Sequence, residues 1–203
     1  MSVTMEAIMN IEQNDISKRA ALLEKEDIEQ LVDWLSLKED SIRYRAFLLL
    51  QAKSVLDSSV YPFWDVFRMK LTSDNSYQRS IGVMLIAENV KWDVDCKMKG
   101  TMADYLSILK DEKVITIRQC IQSLKTIVQN SQEYTKDIGE ALLSNNIMSV
   151  RETMRKLILL DIINTLVEIK KYCLSSEISQ YIFTALSGEV LDKKSKKVIE
   201  KLL

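Results

Sequence analysis

From Ile117 onward the apolar residues fall at Ile117, Cys120, Ile121, Leu124, Ile127 and Val128, the i, i+3, i+4, i+7 stripe of a single helix face. The same pattern can be laid over the chain three more times. In each copy a leucine ends the preceding helix eight or nine residues before an arginine, giving the pairs Leu35 and Arg43, Leu71 and Arg79, Leu109 and Arg118, and Leu143 and Arg151. Successive arginines lie roughly 33 to 39 residues apart, inside the window where periodicity signals stacked helix pairs. The predicted elements follow from this frame: helices over 27–37 and 41–56, then 60–71 and 76–89, then 102–109 and 114–128, then 134–143 and 149–172. A last pair over 176–186 and 192–203 breaks the register. Before them, residues 3–23 carry Met5, Ile8 and Met9, then Ile16, Ala20 and Leu23, split by Asn14-Asp15, which stops one helix and caps the next. Residues 91–101, with Trp92, Asp93, Asp95 and Gly100, read as an irregular inter-repeat loop with a hydrophobic anchor.

Each arginine follows a short polar turn and closes a tripeptide: Ser41-Ile42-Arg43, Tyr77-Gln78-Arg79, Thr116-Ile117-Arg118 and Ser149-Val150-Arg151. Three positions later come Ala46, Gly82, Ile121 and Met154, and three beyond those a complete column of Leu49, Leu85, Leu124 and Leu157. This resembles the HEAT repeat, whose L-x-D-x-x-x-x-V-R-x-x-A-x-x-x-L pattern joins a helix A to a helix B. The single proline, Pro62, sits near the start of the second helix A, where it is tolerated. The resemblance implies an all-α fold: a right-handed α-α superhelix, or solenoid, of about five HEAT-like helix pairs with an N-terminal helical cap. The expected organisation is a single domain over 1–203, with the cap at 1–25, repeats one to four at 26–171 and a degenerate terminal repeat at 172–203, whose outer side should be polar.

Composition narrows the chemistry. Four glycines and one proline leave few punctuators for strands or phosphate-cradling loops, and no G-x-x-x-x-G-K or G-x-G-x-x-G is present. Histidine is absent, which removes the commonest general base, the commonest transition-metal ligand and every Ser-His or Cys-His nucleophile. Cys96, Cys120 and Cys173 are odd in number and widely spaced, against a disulfide framework or a metal clip. No cofactor and no metal are expected. No apolar run is long enough to span a bilayer and the first ten residues lack a leader pattern, so the expectation is a soluble, cytoplasmic protein without a membrane partner. The net charge is −1, but residues 1–40 hold ten acidic and four basic side chains, leaving the remainder basic.

The expected function is a non-enzymatic scaffold or adaptor whose concave face, made by the B helices, binds a protein partner such as a helix or peptide. Carrying the face opposite the buried stripe of 114–128 through the arginine register gives its lining. Repeat one supplies Tyr44, Phe47, Leu48 and Gln51; repeat two, Ser80, Val83, Met84 and Ala87; repeat three, Gln119, Gln122, Ser123 and Thr126; repeat four, Glu152, Arg155, Lys156 and Leu159. Either the N-terminal segment with Ile8 and Met9 or a partner covers the apolar part. Arg43, Arg79, Arg118 and Arg151 form a structural ladder bonding turn residues. Asp161, inside Leu157-Ile-Leu-Leu-Asp-Ile-Ile, is the candidate buried acid. Lys193, Lys194, Lys196 and Lys197 form a solvated cap face. Trp34, Trp64 and Trp92, with Asp93 beside Lys91, raise the alternative of a nucleic-acid-binding or repair module of the HEAT-like DNA-alkylation-repair glycosylase type, although no motif of that family matches. Nucleic-acid affinity is expected to be weak and non-specific. An enzyme using Asp or Glu without histidine ranks third.

Overall fold

The computed structural model describes residues 3–203; the first two positions of the predicted cap lie outside the described residues. Among those described there is no strand, and the chain forms twelve α-helices joined by short 3-10 turns. The chain divides into two compact units, Met1–Met102 and Ala103–Leu203.

In the first unit, α1 (Met5–Met9) starts on Thr4, whose hydroxyl accepts from the Ala7 N–H at 3.1 Å. The helix α2 (Ile16–Ala21) follows, then α3 (Lys25–Trp34), α4 (Asp40–Leu56), α5 (Trp64–Lys70) and α6 (Ser76–Asn89). Asp27 does not cap α3 from in front, as the pattern suggested. It is the third helical residue of a capping box with Glu24, and its carboxylate also accepts from the Val3 N–H at 2.8 Å, tying down the N-terminus. Around α4 pack α1, α2, α3 and α6. Ile8, Ile11, Ile16 and Ala20 are buried, so the N-terminal helices belong to the core of this unit. Unlike the one-sided helices, α6 is apolar on every side over Ile81–Ala87, and it is buried from Arg79 to Ala87 except at Met84. Gly82 explains its place in the small-residue column: a Cβ there would meet the Phe67 carbonyl oxygen at 2.8 Å, so only glycine lets α5 and α6 approach this closely.

The predicted loop over 91–101 is a correction. The helix α7 (Lys97–Ser107) already begins inside it, because the Asp93 carboxylate accepts from the backbone N–H groups of Lys97 at 2.8 Å and Met98 at 2.7 Å. Gly100 meets open space and does not interrupt the helix. The anchor is real: Trp92 donates its indole N–H to the Ser54 carbonyl at 2.8 Å.

In the second unit, α8 (Val114–Asn130) packs along α10 (Glu152–Lys170), with α9 (Thr135–Leu143) beside α10 and α11 (Ser176–Ser187) against both α9 and α10. The last helix, α12 (Lys193–Glu200), rests on α10 and starts at Asp192, which accepts from the Ser195 N–H at 2.7 Å. The predicted stripe of α8 is buried at every position from Ile117 to Val128, against Ile158, Ile162, Leu166 and Ile169 of α10 among the core residues. The start of α10 differs from the expected 149: Ile147–Ser149 form a 3-10 turn and Val150 is extended, so the helix opens at Glu152. The outer side of the C-terminal segment, expected to be polar, is not uniformly so, since Leu174 is 95% and Phe183 65% exposed.

Candidate functional site

The four arginines do not occupy equivalent places. Arg43 and Arg79 are each the fourth residue of their helix, and both are buried. Arg43 donates to the Leu37 carbonyl at 2.8 Å and to the Asp40 carboxylate. Arg79 donates to the Ser73 and Asp74 carbonyls at 2.7 and 3.0 Å. In α10 the fourth helical residue is Arg155, not Arg151, and Arg155 makes the return to the turn, donating to Val150 and Met148 carbonyls at 3.1 and 3.2 Å. Arg151 is exposed at the N-cap of α10, on the rim of a cleft of about 810 Å³ between the turns that precede α8 and α10. The turn-bonding position is therefore four residues later than the spacing indicated.

Arg118 is one residue further into its helix and points elsewhere. Its guanidinium grips Asp161 of α10 with two bonds, 2.6 Å from Nε and 3.3 Å from an Nη, while Gln122 donates to the same carboxylate at 3.0 Å. Thr165 donates to the Ile121 carbonyl at 3.1 Å, and the buried Glu168 pairs with Lys171 at 2.9 Å and faces Lys125 at 3.9 Å. A polar seam thus runs along the α8–α10 contact, with every buried carboxylate in it compensated. The first unit has a counterpart between α4 and α6. Gln51 donates to Glu88 at 3.2 Å, Asn89 to the Ser54 hydroxyl at 2.9 Å, and the Arg43 guanidinium lies 5.4 Å from the Tyr77 ring centre. Burial raises the pKa of Glu88, with Gln51 and Lys91 pulling the other way.

The predicted lining residues divide sharply. In the first unit Phe47 of α4 and Ser80, Val83 and Ala87 of α6 are buried, so they are packing residues, and the open side of α6 runs through Tyr77, Met84 and Glu88 instead. Tyr44 is exposed; Leu48, Gln51 and Met84 are half-buried. In the second unit Gln122 is exposed and Gln119 and Thr126 half-buried on one ridge of α8, while Ser123 is buried. On α10, Glu152 is exposed, Arg155 and Lys156 are half-buried and Leu159 is buried. The ridge of α10 left open is Lys156, Leu157, Leu160, Asn164 and Val167, mostly absent from the predicted set. The sequence did carry a signal for it: the stripe through Met154 and Leu157 turns polar at Asp161, Asn164 and Glu168. Asp161 and Glu168 turn toward α8, which leaves Leu157 and Asn164 at the margin.

The residues that suggested nucleic-acid chemistry are occupied. Asp93 holds two backbone N–H groups of α7 and accepts from the Tyr61 hydroxyl at 2.8 Å. Trp64 is fully buried and donates to Thr101 at 3.1 Å, and Trp34 is also buried. Burial pushes the Cys120 thiol well above its ordinary pKa, holding it neutral. Among the described residues no group of three or more His, Cys, Asp or Glu side chains is placed to hold a metal ion, and no helix is long and apolar enough to cross a membrane. No protein-family model and no curated protein matches this sequence.

Proposed function

We propose that the protein is a non-enzymatic scaffold of the HEAT-like kind, a right-handed superhelix of about five helix pairs that binds a partner protein through its B helices. What supports the architecture is the recurrence of one construction in both units: neighbouring B helices lie side by side, α4 with α6 and α8 with α10, stitched by bonds between residues one repeat apart. The arginine that bonds back to its own turn recurs in α4, α6 and α10.

The observation that carries the binding role is the open B-helix surface of the second unit. Gln119, Gln122 and Thr126 of α8 stand beside Leu157, Leu160, Asn164 and Val167 of α10, joined by the Arg118–Asp161 seam beneath. Neutral amides next to half-exposed aliphatic side chains suit an amphipathic helix or peptide, which brings apolar anchors and backbone or side-chain polar groups together. The measurement is affinity capture from the native host with the wild type, Leu160→Glu and Thr126→Arg, each checked for native helicity. The expected result is a partner held by the wild type and lost by both variants. Retention of every captured partner by folded variants removes this surface from consideration.

A further inference from the structure

We propose that the protein associates with a second copy of itself, through a lysine ridge on α12 of one copy and an acidic ridge on α3 of the other. Helical spacing puts Lys193, Lys197 and Lys201 in one line, one turn apart, with Lys194 alongside. All four are exposed, and none has an ion-pair partner among the described residues. The opposite side of α12 is fixed in place, with Ile199 only 1% exposed. On α3, Glu26, Glu29 and Asp33 recur at i, i+3 and i+7 on the exposed side, while Ile28, Leu31 and Val32 are buried behind them. Lys25 meets Glu29 only loosely, at 3.7 Å. The two ridges are of similar length and opposite net sign, Glu200 being the one acid on the lysine side, and both stay solvent-exposed in the single chain.

The lysine ridge by itself would suit any anionic surface. A second copy is favoured because the matching acidic ridge is on the same chain and the net charge of −1 sets up no long-range repulsion between copies. A lipid surface would draw on apolar insertion as well as charge; Ile199 is turned into its own unit, while Val198, Leu202 and Leu203 are exposed beside the lysines, so the vesicle arm of the test decides between the two. Each ridge repels its own kind, so the contact pairs unlike patches, α12 of one copy with α3 of the next.

The test is sedimentation velocity on the full chain. Self-association is expected at about 0.01 M salt and should fall steeply toward about 1 M, where the screening length shrinks from about 30 Å to about 3 Å. Two triple variants, Lys193→Glu/Lys197→Glu/Lys201→Glu and Glu26→Lys/Glu29→Lys/Asp33→Lys, should each associate roughly tenfold more weakly, and mixing the two should restore association by exchanging the charges. Every substituted side chain is exposed, so circular dichroism is expected to be unchanged. A wild type that is monomeric throughout, variants that associate as it does, or a mixture that stays monomeric overturns the proposal. So does a monomeric wild type that binds phosphatidylserine vesicles through the same lysines.

Discussion

Arg43, Arg79 and Arg155 each sit fourth in a helix and turn a charged donor back onto carbonyls of the turn just left. Removing such a donor strands those carbonyls, at about 1–3 kcal/mol apiece. Alanine at each of the three is therefore expected to lower the urea midpoint by that order, whereas Arg151→Ala, at an exposed N-cap, should stay within about 0.5 kcal/mol of the wild type. Equal losses at Arg151 and Arg155 would mean that the register is misplaced. Arg118→Ala belongs to a different class, because it leaves the Asp161 carboxylate with Gln122 alone; a loss of about 2–4 kcal/mol is expected in the same experiment. Glu88 gives a pH-dependent test. Its folded pKa is raised by burial above the ordinary value of 4.5, so the stability it contributes is present while it is protonated and is lost as the pH rises through that folded pKa. Glu88→Gln should accordingly stabilise the protein at neutral pH, and the difference should vanish in acid. A variant no more stable than the wild type at pH 7 contradicts the burial argument.

At the level of elements, capping and close approach decide where helices begin and how near they come. Asp93 satisfies the first N–H groups of α7 and also takes the Tyr61 hydroxyl, so Asp93→Ala should cost about 1–2 kcal/mol. Hydrogen exchange should show the loss as faster exchange at Lys97 and Met98 than at residues later in α7. Gly82→Ala sets helix propensity against space. Alanine is the better helix former by about 1 kcal/mol, yet its methyl group would press on the Phe67 carbonyl, and forced repacking costs about 1–3 kcal/mol. Net destabilisation is expected, and a higher thermal midpoint would show that α5 and α6 can separate without penalty.

For the molecule as a whole, the N-terminal segment is the informative part to remove. Ile8, Ile11, Ile16 and Ala20 are buried among α1, α2 and α4, and Asp27 holds the backbone at Val3. Deleting residues 1–23 should uncover the apolar side of α4, with a lower unfolding temperature and concentration-dependent aggregation in light scattering. A truncated protein as stable and as monodisperse as the full chain would make the segment an appendage and not part of the core. The segment covers α4 itself, whereas the open B-helix surface proposed for a partner lies on α8 and α10.

The amino-acid sequence alone determined which stretches are helical and which side of most of them is apolar. Ser76–Asn89 and the stripe of α8 are legible because periodicity, N-caps and the scarcity of glycine and proline act through residues within one or two turns of each other. Only the tertiary structure decided that Arg155 takes the turn-bonding place, that Arg118 reaches Asp161, and that Val83 and Phe47 are interior while Leu160 and Val167 stand at the surface. It also decided that a stretch holding Gly100 and two aspartates starts a helix, through a carboxylate that meets amides beyond its own turn and a tyrosine 32 residues away. The Arg118–Asp161 pair and the Asp93–Tyr61 bond join groups more than thirty residues apart, beyond the reach of any local pattern. A helix presents several sides to its neighbours, and the packing partner, not the local pattern, selects which of them is buried.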